Sequence, residues 1–204
     1  MLRILVVGLV LLVAAMFWLP RPSLVTPPPA VATLLPDSLA LPAVHLTDKA
    51  KQPFAREDLQ GTFTLMFFGF TNCPDICPLT LSVLADSIAL LEERAPGKVP
   101  AVLFVSVDPS RDSAEKIDAY LANFNSSFQG VTGPEAALAP WIETLGVTVH
   151  RVDLGGEHYN VIHNGTVFVL NPDAELVAVF GGTSHDAETI ATDFLRIAAR
   201  SGTP

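Results

Sequence analysis

The only two cysteines of the chain stand in Asn72-Cys73-Pro74-Asp75-Ile76-Cys77-Pro78, with three residues between them and each followed directly by proline. Two thiols at that spacing can cycle between dithiol and disulfide, or clamp a soft metal ion as thiolates. A purely structural bridge is a poor reading, because closing so short a loop removes little chain entropy. A residue before proline is pushed out of the α region, so both cysteines are expected to be extended, with a turn between them. Pro78 suits the first position of a following helix, which makes Cys77 roughly its cap. Both sulfurs then face the positive end of a helix dipole, which favours thiolate. Thiolate is the form that both a redox nucleophile and a metal ligand require, so these residues alone do not choose between the two chemistries.

The elements around the turn set its position. Residues 62–70, TFTLMFFGF, form a continuous apolar and aromatic run, as expected of a strand buried on both faces. Residues 79–94 place Leu79, Val83, Leu84, Ile88 and Leu91 on one helical face. The turn therefore lies outside the carboxyl end of a buried strand, where ligands gather in open α/β sheets. Downstream, 99–108 reads as a second buried strand and 113–124 as an amphipathic helix capped by Ser113. A short strand or turn follows at 130–133, then a helix over 134–146 that Pro140 would strain and Gly146 would stop. Residues 147–153 alternate, 165–182 read as a hairpin turning at Asn171-Pro172-Asp173, and a final helix closes on Gly202. With a short strand at 44–46 as well, the order predicts one α/β domain with a mixed central sheet flanked by helices, over residues 43–204.

Ahead of that domain, positions 4–19 carry no charge and are flanked by Arg3 and Arg21. Residues 1–21 read as an N-terminal membrane anchor, with a cleaved signal peptide as the rival. The nearest small-residue cleavage pattern, Ala30-Val31-Ala32, lies well beyond the apolar run, after three consecutive prolines. With Arg3 kept inside, the domain faces the periplasm or an equivalent non-cytoplasmic space. Residues 22–42, rich in Pro, Ala and Ser, read as a linker. From residue 22 on, ten Lys and Arg face 21 Asp and Glu, which leaves no basic footprint for nucleic acid.

Candidate partners for the cysteines are few. The histidines are His45, His150, His158, His163 and His185. His163 stands out because it lies in a segment leading into the buried strand 166–170, read here as a loop. His158 reads as a solvated loop residue, His45 and His150 as strand residues and His185 as a helix start. Asp75, Asp108 and Asp112 are candidate supporting acceptors. Asp108 reads equally well as a strand-end cap, and Asp112 reads as a partner of Arg111 or Lys116. Three methionines exclude a Met-rich copper site, and two cysteines exclude a Cys₄ zinc or iron–sulfur site.

Taken together, FGFTNCPDICP, VSVDPSRD and YNVIHNGTVFVLNPD resemble the Sco/SenC family of membrane-anchored, thioredoxin-like copper proteins, over roughly residues 40–200. The Cys-Pro-x-x-Cys-Pro form, with three residues between the cysteines, is its most specific element, since thioredoxins have two. The resemblance implies a thioredoxin-like fold and copper as the bound metal, with Cys73, Cys77 and His163 as ligands. It implies a role in assembling the dinuclear copper centre of cytochrome c oxidase, by handing over copper or by reducing the cysteines of that subunit. Other copper chaperones or thioredoxin-like reductants would be further partners. Ile162 stands where the family usually has aspartate before the histidine, and Asn164 where threonine or serine often follows. The alternative is an exported thiol-disulfide oxidoreductase in which Cys73 attacks and Cys77 resolves, which would make His163 dispensable. A peroxiredoxin-like peroxidase is a weaker third reading.

Overall fold

Thr64–Gly69 (β4) is buried at every position, and such a strand needs ladder partners on both edges. It has them: Ala101–Ser106 (β5) pairs with it in parallel and Val167–Leu170 (β9) antiparallel. The computed structural model describes residues 26–155, 158–182 and 186–201, and the expectations for residues 1–21, His185 and Gly202 fall outside them. Gln129–Thr132 (β6) adds to β5 in parallel, and His45–Asp48 (β2) with Pro53–Ala55 (β3) extends that side antiparallel. On the other side lie Glu175–Phe180 (β10) and Thr33–Ala40 (β1). The sheet runs β1-β10-β9-β4-β5-β6-β2-β3, so its centre is parallel and its flanks antiparallel. The α/β reading with a mixed central sheet holds.

Helices Ile76–Arg94 (α1) and Ala187–Arg200 (α4) pack against each other, Ala114–Leu121 (α2) packs on β6, and Glu135–Thr144 (α3) touches β2. Ser113 caps α2 as its sequence suggests, accepting from the Lys116 N–H, and α3 runs on through Pro140 before Gly146 turns the chain at φ +62°. Phe67, Phe68, Phe104, Phe180, Phe194 and Trp141 fill the core.

Three local expectations change. Residues 33–40, read as linker from their composition, form β1 at the sheet edge. Pro36 sits where the register with β10 slips, between Leu34 and Leu39, so its missing N–H breaks no ladder bond. A buried carboxylate, Asp193 of α4, collects the N–H groups of Ala30, Val31 and Ala32 at 2.7, 2.7 and 3.1 Å. That contact was invisible in a stretch with a single charge. Second, Val149–Gly155 (β7) and His158–His163 (β8) form a separate two-stranded sheet, so His158 and His163 lie in a strand and not in loops. Third, Cys77 is helical, as described next.

Candidate metal centre

β4 ends at Gly69, and the chain turns through Phe70 to Cys73, whose N–H bonds the Phe70 carbonyl at 3.2 Å. A side chain at Gly69 would put a Cβ 2.7 Å from the Phe104 ring and 3.1 Å from the Cys77 sulfur, so glycine leaves the room that this sulfur occupies. Asp75 is the N-cap of α1, without a side-chain cap bond, and Cys77 and Pro78 are its second and third residues. Cys77 is therefore inside the first turn, not at the cap. Pro78 is tolerated there because the first-turn N–H groups have no intrahelical acceptor.

The two thiols set each other's charge, with a smaller contribution from the helix start. The Cys77 N–H points at the Cys73 sulfur, 3.5 Å away. A hydrogen bond from the Cys77 thiol pulls the Cys73 pKa down to about 4 against the opposing cost of burial, with His163 and the N–H groups of Asp75 and Cys77 adding to it. Cys77 is pushed the other way, first by that same bond and then by burial. The metal-free pair is thus one half-buried thiolate, Cys73, beside one buried thiol, Cys77.

His163, the last residue of β8, brings Nε2 to 3.2 Å from the Cys77 sulfur. Its Nδ1 lies 3.0 Å from the Asn164 carbonyl oxygen. A carbonyl only accepts, so Nδ1 carries a proton, and Nε2 is the ring nitrogen turned toward the sulfurs, the one that can ligate a metal. Phe67 and Phe70 meet the imidazole edge to face, with centroids at 5.9 and 5.7 Å, and fix the ring plane. The two sulfurs and a ring nitrogen all lie within 4.8 Å of one another, the one such group of possible metal ligands among the described residues. Two thiolates and an imidazole are soft to borderline donors, suited to trigonal Cu(I) or to Cu(II) with one added ligand. A structural zinc site would need a fourth protein ligand.

Of the remaining candidates, His45 and His150 are exposed strand residues outside this group of donors, and only the backbone of His158 is described. Asp112 does more than pair with Lys116. Buried, it accepts from the Thr71 N–H at 2.9 Å, the Thr71 hydroxyl at 2.5 Å and the Ser106 hydroxyl at 2.7 Å, which ties the cysteine turn to the end of β5. Lys116 Nζ bonds Asn72 Oδ1 at 2.8 Å on the same turn. Asp108 is fully buried and engages Arg111 and the Tyr159 hydroxyl. Asp75 is exposed. The sequence reading missed Phe67, Phe70, Arg111 and Tyr159 as neighbours of the site. The alternation of HYNVIH was the available signal for β8 and its inward-facing Tyr159, Val161 and His163.

Comparison with known proteins agrees with this geometry. The SCO1/SenC family model matches residues 38–199. A Stutzerimonas stutzeri protein whose name records copper binding is 36% identical over 144 residues, 70% of each chain. The human mitochondrial SCO2 homolog is 34% identical over 154 residues, which cover 74% of this chain and 57% of the human one. The crystal structure of Arabidopsis thaliana ScoI with copper bound superposes with a TM-score of 0.73 at 27% identity, covering 79% of this chain and 98% of that one. At 18% identity BsSco shares the fold alone, with a TM-score of 0.65 over 81% of this chain and 98% of that one, and it is described as a member of the Sco family of cytochrome c oxidase assembly proteins with a disulfide switch. The mixed sheet and helices are thus the thioredoxin-like arrangement that these proteins share, and the chain belongs to the SCO1/SenC family.

Proposed function

We propose that this chain binds copper through Cys73, Cys77 and His163 and passes it on during assembly of the dinuclear copper site of cytochrome c oxidase. The observation that carries this reading is the meeting of the three donors, one already a thiolate and one an imidazole whose Nε2 is turned toward the sulfurs. Copper binding displaces the proton held on Cys77. The half-buried Cys73 leaves a side on which a recipient's thiolate can join the metal before these ligands let go. The anchor read at residues 1–21 would hold the domain on the non-cytoplasmic face, where the recipient and any reducing partner would reach it.

A second reading is favoured by the same unequal pair. The Cys73 thiolate can attack a partner disulfide, forming a mixed disulfide and releasing one partner thiolate. Cys77, after giving its proton to His163 Nε2, then attacks the Cys73 sulfur, releases the second partner thiolate and leaves a Cys73–Cys77 disulfide. Two electrons pass to the partner. Copper and disulfide occupy the same sulfurs and exclude each other, which would couple delivery to redox state.

The test is copper titration of the reduced full-length protein in detergent. The reading predicts one tightly bound copper per chain, lost in Cys73→Ala and weakened in His163→Ala. Unchanged binding in both variants would remove the three-ligand site.

A further inference from the structure

His163 reaches the cysteines from a sheet that shares no ladder with theirs. Among the described residues β7 and β8 pair only with each other. Val161 of this hairpin is buried in the core and Arg151 reaches Glu135, and beside the site several contacts to the body meet at Tyr159. Its hydroxyl donates at 2.6 Å to Asp108, a fully buried carboxylate just past β5. Its carbonyl accepts from Arg111 Nη1 at 3.0 Å. Its ring lies between two guanidinium groups, Arg111 at 3.8 Å and Arg151 at 4.3 Å from the centroid. Arg111 is in turn paired with Asp108 and sits 5.7 Å from the Phe70 ring, whose edge-to-face contact orients His163. Arg151, on β7, reaches Asp108 at 3.9 Å and Glu135 at 3.4 Å. Strand alternation puts Tyr159, Val161 and His163 on one face of β8, so the grip on Tyr159 sets where the imidazole stands.

We propose that Tyr159, held by Asp108 and Arg111, is a latch that positions His163 on the cysteine pair, and that releasing it takes the copper site from three donors to two. The inference rests on the copper reading above. None of the latch residues is a ligand. Tyr159 is a positioning residue that acts through His163. A closed latch favours retention by three donors, whereas an open one leaves a dithiolate that an incoming thiolate can invade. The thiolates stay on the rigid body while the imidazole travels with the hairpin, so the hairpin sets the coordination number without disturbing the sulfurs.

The test is the rate at which Cu(I) passes from the loaded full-length protein to the chromophoric chelator bicinchoninate. Tyr159→Phe removes only the hydroxyl bond and leaves the ring between the guanidiniums. It is expected to speed transfer about tenfold, the lower end of what loss of a ligand-orienting contact does to metal retention. In metal-free protein the same variant should raise amide hydrogen exchange over 159–163. Arg111→Lys keeps a cation by Asp108 but loses the planar fork to the Tyr159 carbonyl, and should move the rate the same way. In a His163→Ala background, Tyr159→Phe should leave transfer unchanged. Equal acceleration in that background overturns the latch, and so does an unchanged rate in the native background, even where the unfolding midpoint falls. If His163→Ala itself releases copper at the native rate, the three-donor site fails and the latch with it. If His163→Ala is fast and neither latch variant is, only the latch fails.

Discussion

The cysteine turn and the histidine hairpin supply donors to the same point but are built differently. The turn continues a strand buried at every position and laddered on both edges, and Asp112 ties it to the neighbouring strand end through three hydrogen bonds. The hairpin is a two-stranded sheet of its own, joined beside the site through aromatic, cationic and carboxylate contacts. Two-stranded sheets are marginal alone, so the hairpin depends on its docking. The difference assigns separate duties to the donors. On the copper reading proposed above, the thiolates would give the metal its place and the imidazole would modulate how firmly it is held.

The sharpest way to break this contrast is to remove a sulfur. Cys77→Ser should reduce copper binding to background in an equilibrium titration, since a single thiolate and an imidazole do not form the soft trigonal set. Next comes the brace. Asp112→Ala strands the Thr71 and Ser106 donors in the interior and should cost about 3 kcal/mol in urea unfolding. Asp112→Asn should recover part of that.

His163→Ala tests the other side of the comparison. Copper affinity should fall about tenfold to a hundredfold, read by competition with a chelator, while stability drops by about 1 kcal/mol or less. A loss as complete as that of Cys77→Ser would mean that the imidazole carries the site.

The unequal thiols give a pH prediction. Cys73 is lowered to about 4 in the folded protein, so it stays ionised from neutral pH down and becomes protonated only as pH drops through that value. Its alkylation by iodoacetamide should hold its rate between about pH 8 and 6, where an ordinary thiol slows nearly tenfold per unit. Cys77 should remain unlabelled across this range, and mass spectrometry of the labelled peptides distinguishes the two.

The smallest effect belongs to Ile162, which is exposed on the outer face of β8 opposite His150. Ile162→Asp places a carboxylate across from an exposed imidazole. Stability should stay within about 0.5 kcal/mol, with copper affinity shifted by less than about threefold.

How much of this was legible in the sequence follows from how local each signal is. The buried run 62–70, the helix after it and the Cys-x-x-x-Cys spacing are short-range patterns, and they placed two donors at a strand-to-helix junction. The cap was misjudged by two residues because Pro78 is as acceptable at the third helical position as at the first. β8 was hidden because His158 and the segment holding His163 read as loops, although HYNVIH alternates. The docking of the hairpin depends on Tyr159 meeting the local pair Asp108 and Arg111 from 51 positions away, and nothing local in the sequence brings Tyr159 to them. β1 was missed for a similar reason, since its anchor, Asp193, lies more than 160 positions away.

The most direct measurement of the central claim is copper K-edge X-ray absorption on the Cu(I)-loaded full-length protein and its His163→Ala variant. A three-donor site gives two sulfur and one imidazole nitrogen scatterer in the native protein, and two sulfurs without the imidazole signature in the variant. A native site with no imidazole scattering, or identical spectra for the two proteins, would contradict it.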